Sequence, residues 1–168
     1  MSKLSRLSWL ERRNLNKVLK PVGHALSNPK TRQVAVVKSI RLLKEATQRE
    51  MQEWVYWYTL GDFLLEAGFA DEGLRVCSFC YHLRPEDPRS TYGLASAFRQ
   101  LSDARLMGKP GIAEAIAKGK RAGQWVPNPE ASKAALARLG LTVDESASAA
   151  IYFFMKTLGL EPVMHFAP

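Results

Sequence analysis

Cys77 and Cys80, with His82 two residues further on, are by type and spacing the side chains of this chain best equipped for chemistry. Thiolates three positions apart can hold a soft metal or exchange disulfides. A structural zinc site needs four ligands, and the sequence has no second cysteine pair. A redox pair sits at a helix N-terminus, where the macrodipole lowers the thiol pKa. The stretch LRVCSFCYHL reads instead as helix interior. Both cysteines are therefore expected to act as small apolar core residues, and two are too few for a disulfide framework. His24, His82 and His165 are scattered and suggest no histidine, carboxylate and nucleophile set. Gly108-Lys109-Pro110-Gly111 reads as a turn, not a phosphate loop. No catalytic residue, no metal and no cofactor is expected, so the chain reads as a non-enzyme.

Charge offers a second chemistry. The formal charge is +8, and residues 1–44 hold eleven Lys and Arg against Glu11 alone, or +10. The other 124 residues hold 13 basic and 15 acidic residues, or −2. Such a field attracts phosphate, acidic protein surfaces or anionic lipid. Arg12, Arg13, Lys17 and Lys20 of this arm, with Lys118, Lys120 and Arg121 further on and Trp125 close by, are candidates to contact a nucleic-acid backbone and stack a base. Segment 5–20 is also a basic amphipathic helix of the kind that lies at membrane surfaces. The same arm is Arg- and Ser-rich and acid-poor, like an organellar transit peptide, or is simply a solvated charged face. With no secretory signal, cytoplasmic localisation is expected, organelle targeting through the basic N-terminus being the alternative. No run of about 18 apolar residues marks a membrane span.

The elements that must position these groups read almost entirely as helices. At 168 residues and 46% hydrophobic, the chain can bury a sizeable core. Segment 5–20 opens near Ser5 or Ser8 and stops at Pro21. A second helix begins near Thr31, with Val34, Val37, Ile40, Leu43 and Ala46 on its inner face. No Gly or Pro separates it from the aromatic cluster Trp54, Tyr56, Trp57 and Tyr58. It either runs on or breaks near Gln52. Gly68 ends the aromatic helix, Asp71 is the expected cap of the next, and Pro85 stops that one. Further helices are expected over 89–101, Ile112 to Ala122, 130–139 and 144–158. No segment alternates as a strand would, so the expected fold class is all-α.

The spacing Trp57-x2-Leu60-Gly61-x2-Leu64, then Gly73-x3-Cys77 and Pro85, resembles the tetratricopeptide repeat. Leu64 stands at the aromatic site, Gly73 at the small alanine site and Cys77 at the large phenylalanine site. Leu94, Ala95 and Phe98 repeat the spacing of Leu60, Gly61 and Leu64. Ala150, Phe154, Thr157 and Pro162 repeat that of Gly73, Cys77, Cys80 and Pro85. The implied architecture is a tetratricopeptide-like α-α superhelix preceded by a basic helical extension, 1–52. The repeat domain, 53–168, has repeat one over about 54–87. Repeat two is split between about 88–101 and 144–162 by a helical insert over about 102–143. A rival arrangement pairs 89–101 with Ile112–Ala122 and leaves a separate capping helix.

Tetratricopeptide proteins are typically non-catalytic scaffolds or adapters that bind peptides in a groove lined by the first helix of each pair. The resemblance implies a peptide-binding groove near Val55, Tyr58, Asp62, Leu65 and Glu66, then Arg89, Tyr92, Ser96 and Arg99. Arg89 and Arg99 would favour an acidic or C-terminal peptide, unless Glu86, Asp87 or Asp103 pairs with them. The Lys and Asn set of chaperone-tail binders is absent, Tyr58 and Asp62 standing at two of its sites. The stretch from Cys77 to Gln100 also resembles the tetratricopeptide chaperones of type III secretion, a minor alternative. An RNA- or ribosome-associated protein is the main alternative class. The partner's identity and the oligomeric state stay open.

Overall fold

The structure, a computed structural model, describes residues 6–19, 29–122 and 126–160. Among these, eight α-helices and no strand occur, so the chain is all-α. They are α1 (Trp9–Leu19), α2 (Pro29–Arg49), α3 (Trp54–Glu66), α4 (Ala70–Leu83), α5 (Pro88–Ser102), α6 (Ile112–Arg121), α7 (Pro129–Leu139) and α8 (Val143–Thr157). A 3₁₀ turn, Asp103–Leu106, extends α5. No helix among the described residues is long and apolar enough to cross a membrane.

Local chemistry sets most helix ends. Ser8 and Glu11 form reciprocal bonds at the start of α1, the Ser8 amide donating to Glu11 (2.7 Å) and the Glu11 amide to the Ser8 hydroxyl (3.3 Å). Gly68, at φ +84°, closes α3 with paired bonds from its own amide to the Leu65 carbonyl and from Phe69 to the Leu64 carbonyl. Asp87 caps α5 ahead of Pro88. Thr142 and Glu145 form a full capping box on α8. Asp71 departs from expectation. Helix α4 begins at Ala70 with Phe69 at its N-cap, and the Asp71 carboxylate instead accepts from Arg138 of α7 at 2.9 Å.

The chain does break between α2 and α3, although no Gly or Pro marks the place. Tertiary bonds hold the break. The buried Glu50 carboxylate accepts from the Leu7 amide (2.9 Å) and from Arg12 (2.7 Å). The Trp57 indole N–H donates to the Met51 carbonyl at 2.9 Å. A continuous helix would forfeit these bonds.

Two apolar cores flank α3. On one side Leu15 of α1 and Val36, Ile40, Leu43 and Ala46 of α2 pack with Tyr56, Leu60, Phe63 and Leu64. Residues 29–49 thus share a core with the helix that follows. Val34 and Val37, expected inside, are exposed. The inward stripe runs through Val36, Ser39, Ile40, Leu43, Ala46, Thr47 and Glu50, and its polar members disguise its phase. On the other side Leu65 packs with Leu74 and Cys77 of α4, Leu94, Ala97 and Leu101 of α5, and Ala135 and Leu136 of α7.

Helix α4 packs on both α3 and α5, and α3 also touches α5. The most extensive contact of α5 is with α8, which follows it only after α6 and α7. Ala150 is buried there, Phe154 meets Tyr92 edge-on at 5.8 Å, and the Thr157 hydroxyl bonds Thr91 at 2.8 Å. Pro162 lies outside the described residues. Ser132 of α7 and Ser146 of α8 donate to the Gln100 and Phe98 carbonyls of α5, each at 2.7 Å. Helix α6 makes little contact with the other helices, and Gly119 is its one buried residue.

Candidate functional site

Close approach of three helices builds the ground under the site. A β-carbon on Gly61 of α3 would sit 2.7 Å from the Cys77 sulfur, and one on Gly93 of α5 3.3 Å from the same atom. Cys77 is thus the spacer between α3, α4 and α5. A β-carbon on Gly73 would meet Leu65 at 2.6 Å. Cys77 and Cys80 are both buried, and burial pushes both thiols above their ordinary pKa. His82 is exposed and its Nδ1 bonds the Ser78 carbonyl of its own helix. Cys77 is a spacer and Cys80 a buried thiol beside Ser90, and burial keeps both in the protonated form.

Above this junction α3 and α5 enclose a hollow of about 490 Å³, lined by Tyr58, Asp62, Leu65 and Glu66 on one wall and by Tyr92, Ser96, Arg99 and Gln100 on the other. Thr59 and Phe63 complete it. Tyr58, Asp62, Leu65, Tyr92, Ser96 and Arg99, expected as groove residues, come together here. Val55 and Arg89 do not line it. Val55 is exposed. The Arg89 guanidinium is occupied, bonding the Asp87 carboxylate at 3.0 and 2.9 Å and stacking 4.4 Å over the Trp54 ring. Arg99 lies 3.7 Å from Asp103. The two arginines that suggested an acidic ligand are thus both engaged with carboxylates of their own segment.

Asp62 is the distinctive group. It is half-buried, with Tyr58 one turn before it on the same wall. Burial pushes its carboxyl up to about 6, against the favourable influence of the Tyr58 hydroxyl. Burial and the nearby Asp62 charge raise Tyr58 as well. Gln100 forms the floor. Its Nε2 donates to the Leu65 carbonyl at 2.7 Å, while its buried Oε1 has no partner among the described residues. Gln100 was the residue the sequence hid, although its position one turn beyond Ser96 put it on the same face.

The raised Asp62 pKa has a consequence for stability. In the unfolded chain this carboxyl ionises near its ordinary value of 3.8, in the fold near 6. Between those values the folded state binds the extra proton, so stability falls as pH rises through the window and stays lower above it. Asp62→Asn is therefore expected to raise the melting temperature at pH 7.5, with the gain shrinking as pH falls toward 4. Thermal melts of both proteins across this range would show it, and an equal gain at every pH would contradict the assignment.

The basic candidates are dispersed. Trp9, Arg12, Arg13, Asn16 and Lys17 surround a shallow hollow on α1. Arg12 is committed to Glu50, whereas Arg13 lies 5.2 Å over the Trp9 ring. Lys118, Lys120 and Arg121 occupy the last turn of α6, where cations complement the helix dipole. Lys20 and Trp125 lie outside the described residues. No protein-family model, curated protein or solved structure matches this chain.

Proposed function

We propose that the chain is a non-enzymatic, tetratricopeptide-like scaffold that binds a peptide segment of a partner protein in the hollow between α3 and α5. One observation carries this reading: Tyr58, Asp62 and Leu65 of α3 face Tyr92, Ser96 and Arg99 of α5 across a single hollow. The first helices of the two proposed hairpins supply both walls, as a tetratricopeptide groove requires. The contact of α5 with α8 supports a second hairpin interrupted by α6 and α7. Ser96→Arg would fill the hollow from its α5 wall without touching either core. Affinity capture with the wild-type chain as bait is expected to retain a partner that the Ser96→Arg chain, folded by its melting curve, loses. Identical capture by both would remove the hollow from the reading.

A second reading, contact of α1 with a nucleic-acid backbone, is favoured by the Trp9 ring, which is 70% exposed and overlaid by Arg13. Aromatic stacking with flanking cations is how single strands are held without sequence preference. Residues 29–49 contribute to the first core, so deleting the basic region would unfold the protein. The proper variant is Trp9→Ala with Arg13→Glu and Lys17→Glu. It is expected to weaken binding of a labelled single-stranded RNA and to flatten its salt dependence. Undetectable RNA binding by the wild-type chain at low salt would end this reading.

A further inference from the structure

The hollow between α3 and α5 is furnished with acceptors. Glu50, Asp71, Asp87 and Asp103, each at least partly buried, all have an arginine partner. Asp62, also partly buried and lining the hollow, forms no ion pair with a lysine or arginine among the described residues. A carboxylate withdrawn from water without a counter-ion is costly, and the cost is removed when a cation arrives.

Gln100 points the same way independently. It is only 6% exposed, and it lines the floor of the hollow. Its bond to the Leu65 carbonyl requires the amide nitrogen on that side, which fixes the orientation of the amide. Among the described residues the enclosed Oε1 atom has no donor, so its uncompensated partial charge adds to the negative potential beneath the hollow without itself touching a ligand. Tyr58 and Tyr92 add aromatic faces suited to a cation. The Ser96 hydroxyl adds a further acceptor.

We infer that this hollow receives a cationic side chain, the ammonium of a lysine or the guanidinium of an arginine, carried by a basic peptide, with Asp62 as its counter-ion. The inference rests on the groove reading above and specifies its ligand. Arg99 lines the same hollow but is drawn toward Asp103, one turn along α5. The 124 residues beyond the basic arm, which include the hollow, carry −2, so Asp62→Asn is the control that separates a local site from the general field. Occupancy is pH-dependent in a defined direction. The titratable and charged groups around Asp62 are Tyr58 and Glu66 on α3, Cys77 and Cys80 on α4, and Tyr92 and Arg99 on α5, with Arg89 beyond Tyr58. Of these, Asp62 is the group whose carboxyl titrates near 6, so binding weakens as pH falls from 7.5 to 5.

The test is selection of a displayed random hexapeptide library on the full chain at pH 7.5, followed by affinity measurement of synthetic peptides. The expected result is enrichment of lysine or arginine. Binding should be abolished by Ser96→Arg or Tyr92→Ala and weakened about tenfold or more by Asp62→Asn and by pH 5. Asp62→Asn keeps the size of the side chain, and melting curves establish that each variant is folded. Peptides that depend on Ser96 and Tyr92, yet lack a cation and ignore Asp62→Asn, would overturn the cation and leave the groove standing. Failure to select any peptide sensitive to Ser96→Arg or Tyr92→Ala would overturn both.

Discussion

Replacing Gly61 with leucine is expected to lower the stability of the fold by about 3 kcal/mol, the upper part of the range for overpacking a well-filled core. The cause is the double contact of Cys77. Its sulfur would be 2.7 Å from a β-carbon on Gly61, and it already lies close against α5 at Gly93, which leaves it little room to retreat. A short side chain wedged between two helices has no flexible end to give way, so α3 must move off α4. For a chain of this size the loss corresponds to roughly 6–12 °C in melting temperature. Gly73 makes a useful contrast. Its added β-carbon would meet the outer end of Leu65 at 2.6 Å, and that side chain can swing. The alanine variant at Gly73 should therefore cost less than the alanine variant at Gly61. Combining Gly61→Ala with Cys77→Ala should recover part of the loss, because the two act through one contact. A neutral melt for Gly61→Leu would mean that α3 and α4 are not held together at this point.

Leu43→Ala and Leu101→Ala are each expected to cost about 3 kcal/mol, since both leucines are 0% exposed and their removal leaves a cavity. They sit in different cores, one between α2 and α3 and the other under α5 and α7. Their effects should add in the double variant. Helix α3 belongs to both cores through Leu64 and Leu65, which should make the two unfold as one. A single melting transition common to α-helical signal and tryptophan fluorescence would bear this out. Two transitions in Leu43→Ala would show that α1 and α2 can peel away from the remaining helices.

Particular residues decide how much of this was legible in the sequence. Asp87 ahead of Pro88, Thr142 with Glu145, Gly68 and Gly140 mark helix ends through bonds to near neighbours, and such signals are written locally. The groove residues on α3 and α5 follow helical spacing, so most of them were found together. What was missed depends on distant partners. Glu50 breaks a helix because Leu7 and Arg12 reach it from another element. Asp71 leaves its expected capping role for Arg138. Val34 and Val37 face solvent because Ser39 and Thr47 take buried places in the stripe. The pairing of Arg89 with Asp87 and of Arg99 with Asp103, by contrast, is local, and the sequence already offered it as the alternative to an acidic ligand.

Helix α5 ends in a segment that departs through the Gly108–Gly111 turn and returns as α7 and α8 to bond its Gln100 and Phe98 carbonyls. Severing the chain at that turn would leave two fragments whose mutual surface is already built: α5 on one, α7 and α8 on the other. Those fragments should reassemble when mixed or co-expressed. Because α5 also forms a wall of the hollow, a peptide of the proposed kind would favour the rejoined form wherever α5 is ordered by α7 and α8. The protein therefore contains the elements of a two-piece reporter, in which recovery of a signal from the split halves would follow the docking of α7 and α8 onto α5.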